Sequence, residues 1–134
     1  MNKKGFSLIE LLIVIVIIGI IVIIAVPSLL ESKKTAQATS AAATLRNVAS
    51  AEVSYSSKLT HQGVYGSAAD LVSEGFLDDR FTASPAHFDG YTFSITATGA
   101  HFTATATPDY STNPTFYIDD TMVLKYSNGT PVGQ

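Results

Sequence analysis

Residues 3–30 read KKGFSLIELLIVIVIIGIIVIIAVPSLL, and this stretch decides the fold class of the chain. Two lysines precede an uncharged run at residues 11–30, where 16 of the 20 residues are leucine, isoleucine or valine. A helix rises about 1.5 Å per residue, so this run would be about 30 Å long and could span a bilayer. Because basic residues stay on the cytoplasmic side, the N-terminus is predicted to lie inside and residue 31 onward outside.

Glu10 is an acid at the inner end of this otherwise uncharged segment. A carboxylate in lipid costs up to about 3 kcal/mol, and such residues usually mark a function and have a partner. The next cation along the helix is as far away as Lys33. The alternative is that Glu10 simply lies among the lipid headgroups. A removable secretory signal is disfavoured, because its apolar core spans only about 7–15 residues.

The run from Lys3 to Glu10 resembles the class III leader of type IV pilins and type II secretion pseudopilins. The resemblance covers about residues 3–35. It implies that a prepilin peptidase cuts between Gly5 and Phe6, that the new amine of Phe6 is methylated, and that Glu10 is the helix glutamate of this family. It also implies an inner-membrane precursor with a periplasmic head. An inner-membrane assembly platform would then build copies of the chain into an extracellular filament.

Charge pairing gives Glu10 a physical role in such a filament. A cut after Gly5 would leave a cationic amine on Phe6, one helical turn from Glu10. In an apolar core a lone carboxylate is far more costly than a matched pair. We therefore expect Glu10 of one copy to pair with the Phe6 amine of the next, which would set the register between subunits.

Gly19 and Pro27 are expected to make the apolar helix locally flexible. Pro27 lacks a backbone donor and crowds the carbonyl of Ile23. In lipid the backbone has no other hydrogen-bond partners, so we predict continuous helix from Gly19 to Pro27 in the monomer. Local extension in the filament is the corresponding prediction for the assembled state, and a simple proline kink is the alternative.

The rest of the chain predicts an α+β protein. Residues 31–59 contain neither proline nor glycine, and a stripe at helical spacing indicates an amphipathic helix that continues the membrane span. From Tyr91 onward the period changes to two, which predicts a hairpin, with two further strands near residues 115–118 and 122–126. The long helix is thus predicted to pack on a three- to four-stranded antiparallel sheet. The stripe of the helix at residues 31–59 consists of Ala41, Leu45, Val48, Glu52, Tyr55 and Leu59.

The predicted divisions of the chain are a leader at 1–5, a transmembrane and filament-core helix at 6–30, an amphipathic helix at 31–59 and a head at 60–134.

Several chemistries are disfavoured. The chain has no cysteine, and residues 60–134 carry two basic and eight acidic residues, which argues against a nucleic-acid surface. His61, His87 and His101 lack zinc-ligand spacing, and no nucleophile elbow or phosphate loop is present, so no cofactor and no enzymatic activity are expected. Asp119 and Asp120 are weak candidates for calcium, although paired aspartates are also common in turns.

Three functions fit these features. The first is a structural subunit of a type IV pilus. The second is a pseudopilin of a type II secretion system, which calcium binding and a place in a secretion gene cluster would favour. The third is a signal-anchored periplasmic binding module that stays monomeric and uncut. The sequence does not choose among adhesion, twitching motility and DNA uptake, or between a major and a minor subunit.

Overall fold

The computed structural model describes residues 2–83 and 85–133, and the chain divides into two compact units, residues 1–34 and 35–134. Two helices and five strands are present in the described residues, together with a single 3-10 turn at Asp79–Phe81. The helices are α1 (Leu8–Ser56) and α2 (Ala68–Ser73). The strands are β1 (Ala86–Phe88), β2 (Tyr91–Thr98), β3 (His101–Pro108), β4 (Phe116–Asp119) and β5 (Lys125–Tyr126).

Helix α1 is 49 residues long and passes through Gly19 and Pro27 without interruption. It ends at Ser56, three residues before the predicted limit at Leu59. Turns follow to Gly63, whose φ of +83° is the left-handed conformation that ends helical structure readily. Leu59 lies in these turns and is 93 % exposed, so it is not part of the buried stripe.

The five strands form one antiparallel sheet in the order β1-β2-β3-β4-β5. The predicted hairpin is confirmed: Thr98 pairs with His101 across the turn at Gly99 and Ala100. The sheet nevertheless has five strands rather than three or four, because β1 was not predicted from its three residues. The strand expected at 122–126 is reduced to β5, since Met122 has a φ of +60° that extended strands do not allow.

The core of residues 35–134 lies between the second half of α1 and one face of this sheet. Alternation along β2 and β3 places every second side chain inside, as a half-buried antiparallel sheet requires. Leu45 and Val48 are completely buried on the helix side. On the sheet side the core contains Tyr91, Phe93, Ile95, Phe102, Ala104, Ala106, Phe116 and Ile118.

Helix α2 begins with a capping box. The Asp70 N–H donates to the Ser67 hydroxyl, and the Asp70 carboxylate accepts the Ser67 N–H at 2.9 Å. The hydrogen bonds from Ser67 hold the pKa of Asp70 below its ordinary value, despite slight burial. This box orients α2 so that Leu71 is fully buried against Tyr55 of α1.

Gly66, just before α2, lies against the ring of Tyr55, and this contact yields a prediction. A Cβ at position 66 would be 2.9 Å from the Tyr55 Cζ, closer than packed atoms approach. Tyr55 is buried and stacked on His61, so its ring cannot move freely. We expect Gly66→Ala to lower the free energy of unfolding by about 1–3 kcal/mol, as overpacking usually does. Urea unfolding of the full chain in detergent would measure it.

A double-mutant cycle isolates the cause of this loss. Tyr55→Leu removes the ring that the new methyl group would meet, so Gly66→Ala should cost less in that background than in the wild type. Equal costs in the two backgrounds would show that the Tyr55 contact is not responsible.

Candidate functional site

Glu10 lies in the first turn of α1, which begins at Leu8. Its carboxylate accepts the backbone N–H of Ser7 at 2.8 Å, and Leu11 N–H donates to the Ser7 carbonyl at 3.3 Å. A carboxylate at this position satisfies a free N–H group and interacts favourably with the positive end of the helix dipole. Glu10 therefore caps its own helix.

The predicted cleavage position lies immediately upstream of this cap. Residues 2–7 are exposed and precede the helix, and Phe6 is 92 % exposed. Nothing lies within 4 Å of a Cβ built on Gly5. The bond between Gly5 and Phe6 is thus in an open, non-helical segment, and the Glu10 carboxylate is one turn into the helix that follows.

The apolar half of α1 is uncovered. An 18-residue window of this helix has a mean hydropathy of 3.5, and none of that window is buried. Within the described residues, α1 is the single helix long and apolar enough to cross a membrane. Its isoleucines, leucines and valines expose about half of their surface or more, from Leu8 to Leu30. Such a surface needs lipid or other apolar helices around it.

Gly19 and Pro27 are both helical residues of this uncovered segment. A Cβ at Gly19 would meet nothing within 4 Å. Beside Pro27, a concavity of about 450 Å³ is lined by small and aliphatic side chains. Ser28 and Ser32, two of its lining residues, are four residues apart, which is the spacing of small residues that lets helices approach closely. Its lining consists of Ile21, Val22, Ala25, Val26, Ser28, Leu29 and Ser32.

Asp119 and Asp120, the calcium candidates, have different neighbours from each other. The Asp119 carboxylate accepts a hydrogen bond from the Lys125 ammonium at 3.1 Å. It also accepts hydrogen bonds from the backbone N–H and the hydroxyl of Thr121. Burial tends to raise the pKa of Asp119, but the bonds from Thr121 and Lys125 outweigh it and hold the pKa below its ordinary value. Asp120 pairs with His101 at 3.0 Å. No group of three metal-ligating side chains occurs among residues 2–83 and 85–133.

Sequence reasoning overlooked one residue of the head, Glu52. The sequence pattern places Glu52 in the apolar stripe of the helix, and the structure shows that this acidic side chain is completely buried. The sequence signal for this buried acid is that Glu52 follows Val48 by four residues in an otherwise apolar stripe.

Comparison with known proteins agrees with this N-terminal geometry. The family described as the prokaryotic N-terminal methylation motif matches residues 1–26. Competence protein ComGC of Bacillus subtilis (strain 168) is 39 % identical over 77 residues, which are 58 % of this chain and 76 % of that protein. The chain belongs to the type IV pilin-like family. No solved structure shows significant similarity to this pilin-like chain.

Membership explains why one helix carries two surfaces of different character. In this pilin-like chain, the methylation motif and the uncovered apolar segment occupy the same part of α1. The later part of α1 supplies the core of the head. The pilin-like fold expected from the sequence, a long helix packed on an antiparallel sheet, is confirmed.

Proposed function

We propose that this pilin-like chain is a structural subunit of a type IV pilus filament and not an enzyme. In this proposal a prepilin peptidase cuts between Gly5 and Phe6, the Phe6 amine is methylated, and α1 packs among copies of itself. The observation that carries the proposal is the combination of Glu10 in the first helical turn with a completely uncovered apolar helix behind it.

The capping bond of Glu10 suggests how processing and assembly are coupled. In the precursor the carboxylate is engaged by its own Ser7 N–H. Cleavage adds a cationic amine next to this cap, and in a staggered array the amine of one copy comes within reach of Glu10 in the next. Ion pairing in an apolar core is strong only when the geometry is good, so a matched pair favours one register.

The proposed route runs from the membrane to the cell exterior. Lys3 and Lys4 keep the N-terminus of the precursor on the cytoplasmic side, and α1 anchors it. An inner-membrane assembly platform would then extract the cut subunits into an extracellular filament. The acidic head would form the surface of that filament.

The likeness to ComGC favours a second candidate, a competence pseudopilus subunit. The same cut and helix packing would apply, and the filament would serve DNA uptake. With two basic and eight acidic residues in 60–134, the head would be structural in such a filament and would not itself bind DNA tightly. Loss of transformation without loss of surface pili, after deletion of the gene, would select this candidate.

Mass spectrometry of the mature N-terminus tests the processing step shared by both candidates. We expect the chain purified from its own cells to begin at N-methylated Phe6. The Gly5→Leu variant should keep the leader, because the family motif requires glycine before the cut. A mature chain that retains Lys3 and Lys4 would contradict the proposal and favour a monomeric, signal-anchored binding module.

A further inference from the structure

Glu52 is a buried acid whose carboxyl group is only half satisfied. Its side chain is 0 % exposed. Oε2 accepts the backbone N–H of Gly66 at 3.0 Å, whereas Oε1 is buried with no hydrogen-bond partner in the described residues. An unpartnered buried oxygen is costly, and buried polar groups in folded proteins are nearly always paired. Because this arrangement lowers the stability of the head, it points to a role for Glu52 other than stabilising the fold.

The hydrogen bond of Glu52 joins two different parts of the head. Glu52 belongs to α1, and Gly66 ends the segment 57–66, which we call the connecting loop. The bond is made where Gly66 lies against the Tyr55 ring. Glu52 therefore supplies one of the contacts that fasten the connecting loop to α1, together with the Gly63 N–H bond to the Ser56 carbonyl and the stacking of His61 on Tyr55.

The charged neighbours of Glu52 do not neutralise it. Lys58 donates to Glu74 at 2.6 Å, and His61 contacts the same carboxylate at 2.9 Å while stacking on Tyr55. Asp70 on α2 adds a second negative charge nearby. The titratable groups of this cluster are thus Tyr55, Lys58, His61, Asp70 and Glu74, and the side chains of Lys58 and His61 both contact Glu74 rather than Glu52.

These surroundings make the protonation state of Glu52 sensitive to pH near neutrality. Burial raises the pKa of Glu52 to about 7; the Gly66 N–H opposes this rise and Asp70 adds to it. The carboxyl group is therefore neutral in mildly acidic solution. Above neutrality an ionised carboxylate would lie in the core with a single hydrogen bond, which is unfavourable unless water reaches it.

We propose that Glu52 is a proton-operated latch, which holds the connecting loop against α1 when its carboxyl group is protonated and loosens the loop when the group ionises. Opening lets water solvate the carboxylate. The direction follows from linkage: the closed state holds the proton more tightly than the open state, so closure is fullest below the ordinary pKa of a glutamate. It weakens as the pH rises to about 7.

The latch would change the outer surface of the head. The connecting loop carries Leu59, which is 93 % exposed, and Val64, which is 45 % exposed. Loosening the loop moves these apolar side chains and uncovers Tyr55. The surface that one subunit offers to another would therefore differ between mildly acidic and mildly alkaline surroundings. This inference concerns the single chain and does not depend on filament formation.

Hydrogen exchange of the Gly66 amide tests the latch in the full chain in detergent micelles. The protection factor, corrected for intrinsic exchange, should fall more than about tenfold between about pH 5.5 and about pH 8 in the wild type. In Glu52→Gln, which keeps an oxygen for Gly66 N–H but cannot ionise, it should stay constant. Asp79→Asn, an exposed acid on the 3-10 turn, should behave as the wild type. An equal fall in Glu52→Gln, or no fall in the wild type, would overturn the latch.

A direct titration keeps the test decisive if Glu52→Gln folds poorly. The carboxyl carbon of Glu52 in the isotope-labelled wild-type chain should titrate with a midpoint near 7. A midpoint near the ordinary value of about 4.3 would overturn the proposal, because the group would then be ionised throughout the physiological range.

Discussion

Replacing Glu10 by valine is expected to abolish filament assembly while leaving leader removal intact. The valine side chain suits the apolar surface of α1 but, in the proposed filament, would leave the Phe6 amine of the neighbouring subunit without a counter-ion. Removing one partner of a buried ion pair typically costs about 3–5 kcal/mol, which corresponds to a loss of more than about a hundredfold in association at each contact. Filaments sheared from cells and collected by centrifugation would measure the yield.

A second variant separates the charge of Glu10 from its capping bond. Glu10→Gln keeps an oxygen that can accept the Ser7 N–H, so the helix start is preserved. If charge pairing sets the register, this variant should fail to assemble as Glu10→Val does. Normal filaments from either variant would contradict the pairing, and normal filaments from Glu10→Gln alone would identify capping as the important role.

Replacing Leu45 by alanine is expected to lower the free energy of unfolding of the head by about 3 kcal/mol. Leu45 is completely buried between α1 and the sheet. Truncating a buried leucine removes its transfer free energy and leaves a cavity, which costs about 2–5 kcal/mol. All six tyrosines lie in residues 35–134, so tyrosine fluorescence during urea unfolding in detergent reports on this unit.

Leu59 provides the matched control for this substitution. It is a leucine of the same chain but is 93 % exposed, so Leu59→Ala should change the stability by less than about 0.5 kcal/mol. If the two variants were equally stable, the packing of α1 on the sheet described above would be wrong.

Local sequence patterns were sufficient to predict the long helix and the hairpin. The apolar run predicted a membrane-spanning helix, and α1 includes all of it. Alternation from Tyr91 predicted β2 and β3, which pair along their full length. These features depend on residues within one or two turns of each other, which is why they can be recognised without tertiary information.

Such patterns predicted neither strand β1 nor the shortening of the strand expected at 122–126 to β5. These two strands are short. Each has only two or three residues, too few to show a period, and each exists because a longer neighbouring strand offers free backbone groups. Pairing of Ala86 with Phe93 is decided by the tight turn at Asp89 and Gly90, both of which have positive φ angles.

The sequence by itself predicted a membrane-spanning run and the positions proposed for processing and pairing, because hydropathy and charge order along one helix need no fold to be recognised. The hydrogen bonding of the Glu52 carboxyl group was decided by the tertiary structure alone. Its stripe position indicates burial, but only the return of the chain at Gly66, fourteen residues later, supplies one hydrogen bond and leaves the other oxygen without a partner in the described residues. The free energy of a buried charge depends on what surrounds it in space, and that is set by packing between distant segments.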